Sequence, residues 1–119
     1  MKQTTDFDGE TEGSLDIHQD KATGLMILNF APSRKLTGYR EAIELADRIA
    51  SEHYGEVMML SWYDRDRDFE SPQHASECHL DSAIPGYADY GINHGANSMV
   101  ILEKGRFVFY FTHLEPCVG

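Results

Sequence analysis

Ser98-Met99-Val100-Ile101-Leu102-Glu103-Lys104-Gly105-Arg106-Phe107-Val108-Phe109-Tyr110-Phe111-Thr112-His113 is the stretch from which the fold is read. Two runs rich in β-branched and aromatic residues flank Lys104-Gly105, the pattern of a β-hairpin around a short turn. Side chains alternate across a strand, so Phe107, Phe109 and Phe111 share one face. That face needs a cover, and one upstream segment suits it. Ala42, Leu45, Ala46, Ile49, Ala50 and His53 recur at helical spacing, with Arg40, Glu41, Glu44, Asp47, Arg48 and Glu52 on the opposite side. The spacing predicts a helix over 38–54, with Thr37 as N-cap and Gly55 as the glycine that closes it. This helix is expected to lie over the phenylalanine face.

Outward from that pair, Leu25–Phe30 is a short apolar run stopped by Ala31-Pro32-Ser33, which favours a buried strand. Leu15–Gln19 is expected to pair with it across a turn at Asp20–Gly24. Val57–Tyr63 reads as another strand, apolar on both faces until Ser61, as a central strand would be. Pro85 suits the first turn of a short helix over about 85–94, and Gly95 suits its end. The expected fold is α+β: a single sheet of four or five strands, both helices packed on one side, and a C-terminal β-hairpin. Residues 1–14 are polar and acidic without apolar periodicity, so a flexible tail is expected there. Residues 15–119 would form one domain.

The chain has 119 residues, 41% hydrophobic and 25% charged, which is globular composition at the usual size of one domain. Acidic residues outnumber basic ones by 20 to 10, for a formal charge of −10. Such a chain repels phosphate backbones and anionic membrane surfaces, so neither nucleic acid nor membrane is expected as a partner. The first residues contain no apolar h-region, and no apolar run approaches the ~20 residues of a membrane span. Two cysteines, Cys78 and Cys117, make no disulfide framework. A cytoplasmic setting with free thiols is the expectation.

Trp62-Tyr63-Asp64-Arg65-Asp66-Arg67-Asp68, then Ser71-Pro72, Glu77-Cys78, Gly86, Gly95 and the closing aromatic hairpin together resemble a small uncharacterised family of anaerobic, notably sulfate-reducing, prokaryotes. The resemblance spans about residues 24–113. It implies an α+β fold in the cytoplasm and brings no activity, so it assigns no functional residues.

Residues 61–94 hold the densest mixture of polar, aromatic, histidine and cysteine side chains. Acids at Asp64, Asp66, Asp68 and Glu70 mimic the start of a calcium loop, but Phe69 stands where glycine is needed and Ala75 where the closing glutamate is needed. A solvated charge run is the plainer account. The functional account has Arg65 and Arg67 grip a small anionic ligand with their guanidinium forks. His74 and Cys78 lie four apart, with His79 beside them, and thiolate plus imidazole suits a transition metal such as zinc. No partner among Glu77, His94, His113 or Cys117 falls at a paired spacing, so zinc is the weakest reading. Cys78 activated by His79 or His74 would make a thiol enzyme or redox centre, against the commoner role of a buried packing thiol. Tyr87, Tyr90 and His94 share a stripe of the short helix and would line a pocket with Trp62 and Tyr63. No nucleophile elbow, phosphate loop or dinucleotide fingerprint occurs. The leading expectation is a binding or accessory module, homo-oligomeric and non-catalytic, with its site at Trp62, Tyr63, Arg65, Arg67, Tyr87, Tyr90 and His94.

Overall fold

A computed structural model describes residues 2–7, 11–72 and 86–114, and side chains from residue 12 onward within them. The strands are β1 (Lys2–Phe7), β2 (Thr11–Gln19), β3 (Met26–Pro32), β4 (Val57–Asp64), β5 (Phe69–Ser71), β6 (Ser98–Leu102) and β7 (Phe107–His113). The helices are α1 (Tyr39–Tyr54) and α2 (Gly86–Asn93). One sheet contains all seven strands in the order β1-β2-β3-β6-β7-β4-β5. The α+β class and the closing hairpin are as the sequence implies; among the described residues the sheet has seven strands rather than four or five.

β3 runs parallel to β6, while β6–β7 and β7–β4 are antiparallel. β4 therefore runs parallel to β3, and β3-α1-β4 is a crossover with the β6–β7 hairpin inserted between its strands. This places α1 across the hairpin. Its Ala42, Leu45, Ala46, Ile49 and Ala50 are buried against Phe107, Phe109, Phe111, Leu28, Phe30, Val100 and Leu102. His53, which the spacing put on the same stripe, is exposed. The alanines bring the helix axis close to the ring faces, and Leu45 and Ile49 supply the bulk between them.

The start of α1 differs from the expectation. Gly38 is the N-cap and gives no side-chain bond, so Thr37 lies one place before the cap. Glu41, at the third helical position, reaches back to accept the Thr37 N–H at 2.8 Å and the Thr37 hydroxyl at 3.2 Å. It thus performs the return half of a capping box, shifted by one residue.

β7 is buried along both of its faces. Val108 and Tyr110 point away from α1 and pack with Ala88 of α2, Leu25, Tyr63, Tyr87, Met99 and Ile101. The two helices therefore cover opposite faces of the sheet, not one side. The cause is in β7 itself, whose Val108 and Tyr110 demand a cover of their own. α2 meets them with small residues. A Cβ on Gly91 would stand 2.8 Å from Cβ and Cγ of Tyr110, so only glycine lets the helix backbone settle there. The Ser61 hydroxyl donates to the Tyr87 carbonyl at 2.6 Å and pins the same helix to β4.

The expected tail is also corrected. Residues 2–7 form β1, and 11–14 extend β2, pairing with one another and, at Gly13 and Ser14, with Pro32 and Ala31 of β3. Leu15 is fully buried in the α1-side core. A Cβ on Gly13 would run into the Ala31 carbonyl oxygen and the Phe30 ring, so this glycine marks a close approach between strands. Among the described residues, no helix is long and apolar enough to cross a membrane.

Because Ile49 is fully buried between α1 and the phenylalanine face, Ile49→Ala is expected to cost about 2–5 kcal/mol of unfolding free energy. Denaturant titration checks this; a loss below about 0.5 kcal/mol would be surface behaviour and would contradict the assigned packing.

Candidate functional site

The end of β4 and the turn into β5 carry most of the chemistry. A register shift between Met59 and Ser61 leaves Leu60 as an extra residue in β4. Beyond it, Trp62 and Asp64 pair with Phe109 and Phe107 on the α1 face, while Ser61 and Tyr63 pair with Tyr110 and Val108 on the α2 face. The residues expected to line one pocket are consequently divided between two sides of the sheet.

On the α1 side, Trp62 is stacked between Tyr39 (centroids 6.0 Å apart, 17° between planes) and Phe109 (5.9 Å, 13°), with Phe69 tilted against it at 5.5 Å. The Arg67 guanidinium carbon lies 3.9 Å from the Tyr39 ring centre and 4.7 Å from that of Phe69. Arg67 Nε donates to Asp64 Oδ2 at 2.6 Å, and Asp64 Oδ1 accepts the Asp66 N–H at 2.9 Å. Asp64 is 1% exposed, so this carboxylate is satisfied entirely from within. Arg40 flanks the same ring: its Nε donates to the Tyr39 hydroxyl at 3.3 Å, and its charge sits 5.7 Å from the ring centre. That bond and the adjacent cation draw the Tyr39 phenol below its ordinary pKa.

A second arginine locks the corner. Arg106 grips Asp66 through Nε and Nη2 (2.8 and 2.6 Å), and through Nη1 reaches Glu103 (2.7 Å) and the Leu36 carbonyl (2.9 Å). Glu103 in turn accepts the Leu36 N–H at 3.1 Å. The β4–β5 turn, the approach to α1 and the β6–β7 turn are thereby tied to one guanidinium. The Arg106 hydrogen bond holds Asp66 below the usual carboxylate range. Arg65 is exposed, and its N–H donates to the Arg106 carbonyl at 2.9 Å.

On the α2 side, Tyr63 and Tyr87 stack at 4.9 Å with 10° between planes. The Tyr63 hydroxyl donates to Asp68 Oδ1 at 2.7 Å. Tyr90 and His94 form a separate stack at 3.8 Å, with His94 Nδ1 2.8 Å from the Tyr90 carbonyl. The stripe of Tyr87, Tyr90 and His94 is thus two pairs with different surroundings. His74, Cys78 and His79, the metal and thiol candidates, lie outside the described residues, as do Glu77 and Cys117. Among the described residues, no group of three or more His, Cys, Asp or Glu side chains could hold a metal ion. His113 instead stacks on Tyr54 at 4.2 Å.

Sequence reasoning missed Tyr39, Asp64 and Phe69 as partners of Arg67, and Arg40 beside the same Tyr39 ring. The signal available was the three-residue spacing of Asp64 and Arg67 in a turn. It also missed a concavity of about 190 Å³ lined by Ser14, Asp16, Asn29, Phe30, Ala31 and Lys104, smaller than common small-molecule sites.

The Asp68 hydrogen bond pushes Tyr63 up to about 12, and burial pushes Tyr110 up to about 12, both from an ordinary value near 10. Both phenols keep their protons in the folded state after the unfolded chain has lost them. Stability from these groups is therefore full below pH 10 and falls as pH rises toward 12. Phenolate absorbance is expected to show Tyr63 and Tyr110 among the late-titrating tyrosines, with Asp68→Asn returning Tyr63 toward the ordinary range. Two phenols unmoved by that substitution would break the assignment.

Comparison with solved structures gives a likeness to a novel non-family-model protein, AF1514, from Archeoglobus fulgidus, at a TM-score of 0.60 and 24% identity, over 75% of this chain and 94% of that one. At this identity the likeness is one of fold. No curated protein matches the chain. Residues 26–111, from the first residue of β3 nearly to the end of β7, match the family described as Domain of unknown function (DUF5619). The chain belongs to that family, which carries no assigned activity.

Proposed function

We propose that the chain is a non-catalytic binding or accessory module that holds a small anion, carboxylate or phosphate, at the corner formed by Arg67, Arg40 and Arg65. The observation that carries this reading is the state of Arg67. Its Nε is fixed by Asp64 and its plane by Tyr39 and Phe69, while its outer Nη groups bond to no protein atom among the described residues. A guanidinium held this way keeps two parallel donors aimed outward at little further entropic cost, the arrangement that suits an oxyanion.

The distribution of charge supports the same corner. β3, β4 and β6 run parallel, so the segments that follow them meet at one end of the sheet. Two basic residues precede α1, one lies in its first turn, two occupy the β4–β5 turn and two the β6–β7 turn. Seven of the ten Lys and Arg therefore gather at one end of a chain whose net charge is −10. Open sheets receive ligands outside the carboxyl ends of parallel strands, which is this end. The thiol and metal alternatives rest on His74, Cys78 and His79 and draw no support from the described geometry.

Inorganic phosphate is expected to raise thermal stability by the equivalent of about 1.4 kcal/mol at ten times its Kd. The rise is expected to vanish in Arg67→Gln and shrink in Arg40→Gln, measured against sodium chloride at equal ionic strength. The same rise in all three proteins would be a general salt effect and would sink the reading.

A further inference from the structure

We propose that Glu70 is the anionic half of a second site, on the opposite face of the sheet, which takes an organic ammonium group against the Tyr63–Tyr87 pair. Glu70 is the middle residue of β5 and stands directly opposite Tyr63 in the β4–β5 register, so the two share the α2 face. Its Oε2 is shut off from solvent and has no hydrogen-bond partner among the described residues. Two hydroxyls of the same sheet face are committed elsewhere. The Tyr63 hydroxyl goes to Asp68 at 2.7 Å, and the Ser61 hydroxyl goes to the Tyr87 carbonyl at 2.6 Å.

A carboxylate oxygen cut off from water and offered no donor is an under-solvated charge, and folded proteins retain few of them. The orphan oxygen of Glu70 is an acceptor that an ammonium donor would fill. Tyr87 registers the field: burial first and the Glu70 charge second hold its phenol above the ordinary range. What lies beside the carboxylate selects the kind of cation. Two stacked tyrosine rings offer π surface, which attracts alkylammonium groups. A hard divalent ion asks for several oxygen ligands around it, and among the described residues no acidic trio is available. An amine carried on carbon fits the pairing of one carboxylate with an aromatic wall.

The site is independent of the Arg67 corner, since Asp64 and Phe69 face α1 while Tyr63 and Glu70 face α2. The test uses the full chain, titrated with methylammonium chloride against sodium chloride at equal concentration, following the ring resonances of Tyr63 and Tyr87 by NMR. Saturable shifts confined to these rings and Glu70 are expected. Glu70→Gln, which keeps the shape and removes an unpaired charge, should fold as the parent does and bind at least about tenfold more weakly, the equivalent of ~1.4 kcal/mol. Tyr87→Leu should weaken binding as well. Shifts that never saturate, equal affinity in Glu70→Gln, or a response to calcium chloride in place of methylammonium would each overturn the proposal. The phosphate response should be the same in the parent and Glu70→Gln, which separates this site from the anion corner.

Discussion

β7 is the constraint from which the rest of the structure follows. Its Phe107, Phe109 and Phe111 are fully buried on one side, and Val108 and Tyr110 are buried on the other. A strand apolar on both faces has to be central and covered twice, because either face left in water would forfeit the burial that holds the sheet together. β6 and β4 supply its flanks, α1 one cover and α2 the other. The split crossover is the arrangement that delivers α1 over a hairpin formed by residues far along the chain. The covers differ in kind. α1 contributes four turns and a stripe of Leu, Ile and Ala, whereas α2 contributes two turns and approaches through Gly86, Ala88 and Gly91.

At the end of the sheet where β3, β4 and β6 finish, the dominant force changes from burial to charge. Arg106 and Arg67 are each held by carboxylates, and the two differ in what remains free. Arg106 spends its donors on Asp66, Glu103 and Leu36, and its side chain is 11% exposed. Arg67 spends one donor on Asp64 and is 43% exposed. The first ties three connections together. The second is held as firmly and keeps more of its surface exposed.

How much of this could be read from the residues depends on whether the signal was local. The helix stripe from Ala42 to Ala50 and the alternation from Ser98 to His113 are periodic patterns, and the structure follows them closely. The strand before Gly13 is not periodic. It is polar, and its pairing comes from backbone bonds and a close approach at Gly13, for which composition gives no cue. The phenylalanine face alone does not place α2, because Val108 and Tyr110 form a second apolar face that needs its own cover. Arg67 was picked out, but its partners Tyr39 and Asp64 come from different elements, and only the crossover brings them together. Trp62 and Tyr63 were assigned to one pocket because adjacent positions look like neighbours, although a strand sends them to opposite sides.

Leu60 deserves to be seen in that light, as the single residue by which β4 changes phase. Strict alternation from Val57 and Met59 would carry Ser61 and Tyr63 to the α1 layer and turn Trp62 and Asp64 outward beneath α2. The bulge shifts the reading frame of the strand by one, much as an inserted letter alters every word after it. Pairing β4 with Leu60 kept in step would exchange the contents of the two layers, putting the indole and the buried carboxylate under the short helix and the serine and the phenol under the long one, whereas deleting Leu60 would leave each where it is. The chemistry of each side is therefore written less by which residues β4 contains than by where its count is interrupted.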